Sequence, residues 1–185
     1  DANIQITPAT ADNPIKTDHP LTVTAKVNNG TSAGYVNVPD GTTINLSLSN
    51  SGSATATFTT GPGAGTNATT CTTTGGSCQT TINSPTAGTT TVHASMMIAA
   101  GPTGAGFPAQ AILTRATGDG KTGDSADASK NWVGAKIAIT PNAANEVGAP
   151  HTFTVTLSKD TGAGYQPAPN QHVDVTLTDA KGAAH

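Results

Sequence analysis

Apolar and polar residues alternate along most of the chain with a period of two. Leu21, Val23, Ala25 and Val27 fall on one face of a strand, with Thr22, Thr24 and Lys26 on the other. The same parity turns Ile44, Leu46 and Leu48 inward, and "SATATF" offers Ala54, Ala56 and Phe58. "SCQTTIN" and "TTTVHASM" read as a strand pair around the turn "SPTAG", and "AAGPTGAGFPAQ" (99–110) as a long hairpin loop ahead of the strand "AILTRAT". The stretch "GDGKTGDSADAS" (118–129) is the least apolar in the chain. It reads as an internal loop rather than a linker, because "KNWV" (130–133) follows as a short strand able to close the fold. No helical period of useful length is visible. Short strands separated by Gly, Pro and Asn predict an all-β fold, an antiparallel β-sandwich.

The pattern then restarts. Ile4, Ile6, Thr7 and Pro8 reappear as Ile137, Ile139, Thr140 and Pro141; His19, Leu21 and Val23 reappear as His151, Phe153 and Val155. Gly34 and Tyr35 match Gly164 and Tyr165, Pro39 matches Pro169, and Ile44, Leu46 and Leu48 match Val173, Val175 and Leu177. A repeat of about 130 residues is a whole domain, too long for a solenoid unit. The chain therefore divides into a complete sandwich, 1–133, and the first part of a second, 134–185, with almost no linker between them. The second part holds three or four strands, and its apolar face (Ile137, Ile139, Phe153, Val155, Val173, Val175, Leu177) has no second sheet to cover it. Either the polypeptide continues past His185, the arrangement we favour, or a neighbouring chain supplies the missing strands.

Composition narrows the class further. The 185 residues include 35 threonines, 21 glycines and 12 prolines, with 10% charged and 3% aromatic, a profile of short strands and many turns rather than of disorder. A net charge of −3 with no Lys/Arg cluster excludes the electrostatic footprint of a nucleic-acid binder. No apolar run approaches the roughly 20 residues of a membrane helix. The first residue already begins a repeat, as expected of a mature or excerpted segment whose secretion signal lay upstream.

Candidate chemistry is sparse. Cys71 and Cys78 enclose "TTTGGS", a spacing that suits a hairpin with its ends in disulfide reach, and no other cysteine competes. Such a bridge implies an oxidising compartment, extracellular or at the cell surface. Two cysteines cannot close a zinc site alone. Asp119, Asp124 and Asp127 are the candidates for calcium, yet they lack the regular spacing and distal Glu of an EF-hand loop, so a solvated acidic loop is the simpler reading and no cofactor is required. Trp132, the single tryptophan, is expected to pack in the core or at the junction between the two parts. No nucleophile elbow, metalloprotease helix or phosphate loop occurs, and His19 and His151 share a repeat position, which points to a structural turn instead of catalysis. The chain reads as non-enzymatic.

The stretch 75–95 resembles the closing strands of bacterial Ig-like domains, the tandem modules of invasin- and intimin-type surface proteins. The family's "TxAGTxTVxA" signature stands here as Thr86, Ala87, Gly88, Thr89, Thr90, Thr91, Val92, His93 and Ala94, and the "ITP" and "TFTVTL" strands are similar to the family's first two. The tail 99–133 and the cysteine pair depart from the plainest members. The resemblance implies tandem Ig-like modules serving as a structural or adhesive segment of an extracellular protein or fibre, partnered by neighbouring copies. Two other roles remain open: a module binding carbohydrate or a host protein through loops such as 99–110, and a filament subunit completed by strands of a neighbouring chain.

Overall fold

Thirteen strands and no helix are found among residues 1–103 and 109–182, which the computed structural model describes. In chain order they are β1 (Ala2–Thr7), β2 (Thr10–Pro14), β3 (His19–Asn28), β4 (Tyr35–Asn37), β5 (Thr43–Gly52), β6 (Thr57–Phe58), β7 (Ala68–Thr72), β8 (Ser77–Asn83), β9 (Gly88–Ala100), β10 (Ala111–Ala116), β11 (Ala128–Thr140), β12 (Thr154–Asp160) and β13 (Gln166–Pro167). One sheet runs β1-β3-β8-β6, with β4 beside β3. The other runs β7-β5-β9-β11-β12-β13, with β10 beside β9 and β2 beside β11. Inward positions of β3 (Leu21, Val23, Ala25, Val27) and of β5 (Ile44, Leu46, Leu48) are buried as their alternation requires, and the two sheets face each other across them. Every residue of the buried apolar cluster lies between Ala2 and Trp132.

Three expectations are corrected. The "SCQTTIN" and "TTTVHASM" strands do not pair: β8 bonds to β3 and β6, whereas β9 bonds to β5, β10 and β11. Both strands direct alternate residues into one core from opposite sides, so residues 84–87 form an arch between sheets. The arch is satisfied internally. Buried Ser84 donates its hydroxyl to Thr86 O at 2.7 Å and accepts the Thr55 amide at 3.2 Å, and its carbonyl accepts Lys16 N–H at 2.8 Å.

The cysteines likewise do not close a two-strand hairpin. Gly75 and Gly76, at φ 60° and 79°, do make the tight turn expected of a Gly-Gly pair, bridged by Thr74 and Ser77. The flanking chain then diverges, so Cys71 sits on β7 in one sheet and Cys78 on β8 in the other, with Cα atoms 5.9 Å apart at disulfide distance. The staple ties sheet to sheet. The third correction concerns direction: β2 runs parallel to β11, from Ser129 opposite Thr10 to Val133 opposite Pro14. Pro8 has no N–H with which to prolong β1's ladder, and the chain crosses there to the other sheet. The mostly exposed, polar "TADNP" gave no period-two signal for that strand.

The restart of the sequence is also a restart of register. In β1 and β3, Ala2, Ile4 and Ile6 lie opposite Val27, Ala25 and Val23; in β11 and β12, Ala135, Ile137 and Ile139 lie opposite Lys159, Leu157 and Val155. The amide of Val38 bonds to Ala25 O at 3.2 Å, and its counterpart Ala168 bonds to Leu157 O at 2.9 Å. The correspondence stops after β13. Residues 172–178, counterparts of β5, form no strand, and among the described residues none pairs with them as β7 and β9 pair with β5.

Joining the sheets through Cys71 and Cys78 restricts the unfolded chain, worth about 2.5 kcal/mol for a loop this short. Urea unfolding of the C71S/C78S variant is expected to show a stability loss of about that size, and reduction of the native protein the same loss. An unchanged midpoint on reduction would contradict the bridge.

Candidate functional site

The acidic loop does not gather its carboxylates. Asp127 Oδ1 accepts the Thr117 hydroxyl at 2.5 Å and faces His93 Nδ1 at 2.9 Å, on the outer side of β9. Asp119 accepts Lys121 N–H at 2.9 Å and Ala116 N–H at 3.3 Å; the Lys121 amide bond in particular holds its carboxyl below the usual carboxylate range. Asp124 turns inward, its side chain only 1% exposed, and Oδ1 accepts the Ile4 amide at 2.7 Å. Burial pushes the Asp124 carboxyl up, and the negative charge of Asp119 adds to the effect. Its Oδ2 has no hydrogen-bond partner and lies 4.0 Å from Arg115 Nε. Among the described residues no group of three His, Cys, Asp or Glu side chains is placed to hold a metal.

What the loop does instead is cap an edge. Ile6 N–H bonds to Ser125 Oγ at 3.1 Å, Ser125 N–H to Ile4 O at 3.0 Å, and Arg115 Nε to Ala2 O at 2.7 Å, with the Arg115 guanidinium paired to Asp1. Side chains and one amide thus occupy the hydrogen-bonding groups of β1 that would otherwise invite another strand.

Lys130 is a buried group that the sequence reading did not single out, and it sits near the half-buried His19. Lys130 is fully enclosed, donates to Pro8 O, and is pulled down to about 8 by burial. His19 is lowered by burial and by the Lys130 charge, and its Nε2 is buried without a partner, as is that of its counterpart His151. Parity on β11, where Lys130 falls between the inward Ala128 and Trp132, was the available signal. Trp132 is fully buried in the core and donates Nε1–H to Thr90 Oγ1 at 3.0 Å. The junction itself is packed by other residues.

That junction is made of glycines. A Cβ on Gly162 would meet Gly88 Cα at 2.8 Å, and one on Gly134 would meet the Tyr165 hydroxyl at 2.8 Å and Ile15 Cδ1 at 3.4 Å. Ser53 Oγ donates to Gly162 O at 3.2 Å, and Asp160 Oδ1 pins the turn by accepting Gly162 and Gly164 N–H at 2.8 and 3.0 Å. Lys136 Nζ sits 3.7 Å over the Tyr165 ring, a cation–π contact. Beyond the junction lies a bare apolar face: Ile137, Ile139, Phe153, Val175 and Leu177 are 62, 55, 47, 59 and 57% exposed. Their counterparts Ile4, Ile6, Leu21, Leu46 and Leu48 are 0, 1, 0, 3 and 7% exposed. His151 packs edge-on against Phe153 at 4.4 Å.

Of the loop 99–110, residues 104–108 lie outside the described residues. Among those described, no helix is long and apolar enough to cross a membrane. No family model, no curated protein and no solved structure matches the chain.

Lys130 supplies a pH test. Its value of about 8 lies below the ordinary 10.5, so between those limits the folded protein sheds the proton first and stability rises with pH. The unfolding midpoint of the native protein is expected to climb across that window, and that of Lys130→Met to lack this rise. Parallel curves for the two proteins would contradict the buried lysine.

Proposed function

We propose that the chain is a non-enzymatic structural segment of an extracellular or cell-surface protein or fibre, in which tandem Ig-like modules set a fixed spacing. The observation that carries this reading is β11, one uninterrupted strand whose residues 128–133 close the first sandwich and whose residues 134–140 open the second. A backbone bonded on both sides of the joint has no free linker in which to bend. The glycine contacts of Gly88, Gly134 and Gly162 brace it laterally. The repeated register supports the division into modules 1–133 and 134 onward, and the Cys71–Cys78 staple suits an oxidising compartment. The partners on this reading are neighbouring copies of the module, with loops left free for adhesive contacts.

Spin labels on the exposed sites Ser49 and Thr156, introduced as S49C and T156C, measure the joint directly. A single narrow distance distribution is expected in the native background, and a broader one in Gly162→Val, whose side chain must displace Gly88. A broad native distribution would overturn the spacer reading.

A further inference from the structure

The loop that caps β1 holds two carboxyl groups in opposite environments. Asp119 is anchored as an acceptor: the Lys121 and Ala116 amides donate to it, and Lys121 Nζ lies 3.3 Å from its Oδ2. These contacts favour the charged form and hold its carboxyl below the ordinary 3.8. Asp124 is enclosed, its side chain 1% exposed, and its Oδ1 is committed to the Ile4 amide at 2.7 Å. Its Oδ2 is buried without a hydrogen-bond partner, and the carboxyl group within its reach is that of Asp119. Two carboxylates are both acceptors and cannot satisfy each other, whereas a carboxylic acid beside a carboxylate can. Because Oδ1 already accepts the Ile4 amide, the proton belongs on Oδ2.

We propose that this pair is a proton-operated latch on the edge of β1: a proton on Asp124 Oδ2 is donated in a hydrogen bond to Asp119 and fixes the loop on the strand. When that proton is lost, a buried charge facing a second carboxylate is relieved by movement of the loop toward water. The latch belongs to the first sandwich and does not depend on the tandem reading. Asp124 accepts Ile4 N–H, while the next residue, Ser125, accepts Ile6 N–H and donates to Ile4 O. Movement of these two residues therefore frees three outward backbone groups of an edge strand. The other charges around the pair are engaged elsewhere. Arg115 Nε lies 4.0 Å from Asp124 Oδ2, too far for a hydrogen bond; it donates to Ala2 O, and the guanidinium pairs with Asp1. Lys121 is held by Asp119, and Asp127 is turned away to His93 and Thr117.

The direction of the pH response follows. Burial is the largest influence on Asp124 and raises its carboxyl; the Ile4 amide opposes it, Asp119 adds to it and Arg115 opposes it, with the balance upward. A carboxyl raised in the folded state contributes stability below its ordinary 3.8 and loses it as pH climbs through the folded value. The latch is closed in acid and loosens as pH rises.

Hydrogen exchange of the 185-residue chain between about pH 4 and about pH 8 tests this. Protection factors of the Ile4 and Ile6 amides, taken relative to those of β3, are expected to fall about fivefold or more, the effect of one hydrogen bond. Asp124→Asn keeps Oδ1 as the acceptor for Ile4 and offers an Nδ2–H to Asp119 at every pH. It is expected to abolish the fall and to keep the high protection at the alkaline end. Native protection that does not fall, or a fall that persists in Asp124→Asn, overturns the proposal. A carboxyl-carbon NMR titration of the native protein reads the proton itself, and an Asp124 midpoint at or below 3.8 overturns the latch even if the variant does not fold.

Discussion

One strand carries the architecture. In its first half β11 is held on both edges, by β9 and by the parallel β2, and Ala128, Lys130 and Trp132 are fully buried beneath it. In its second half the same backbone is held by β12 on one edge, and residues 135–140 are all exposed. A strand cannot bend freely where both halves are laddered, so the placement of everything after residue 134 follows from how firmly Trp132 and its neighbours are seated. The Trp132–Thr90 hydrogen bond and the close approach of Gly162 to Gly88, the β9 residue opposite Trp132, both act on that seat.

The two halves of the molecule differ in how their edges are treated. β1 is capped by Asp124, Ser125 and Arg115, which consume its outward backbone groups. Nothing equivalent is seen among the described residues against residues 135–140, though the paired ladder on their other side is the same. Such an edge, next to a bare apolar face, is a template for further strands.

Period-two alternation was enough to locate β3, β5, β8 and β9 and to name their inward residues, because burial on one face leaves that signature directly. It could not say which strands pair, since β8 and β9 present the same alternation whether they form a hairpin or face each other across a core. The cysteine spacing failed in the same way: a Gly-Gly turn fixes the local bend but not whether the flanking chain stays in one sheet. The repeat was legible because His151, Phe153 and Val155 keep the order of His19, Leu21 and Val23. Lys130 and Asp124 were missed as buried side chains because charge predicts exposure; the parity of β11 pointed inward for Lys130, whereas only packing shows that the edge cap draws the Asp124 side chain inside.

Amide hydrogen exchange resolved along β11 tests the central claim, that a single strand is laddered on both edges in its first half and on one edge in its second. The account expects amides of residues 129–133 to open only with global unfolding, and those of 135–140 to exchange far faster through local opening. Uniform protection along the strand, or a fast-exchanging break at Val133–Gly134, would contradict it.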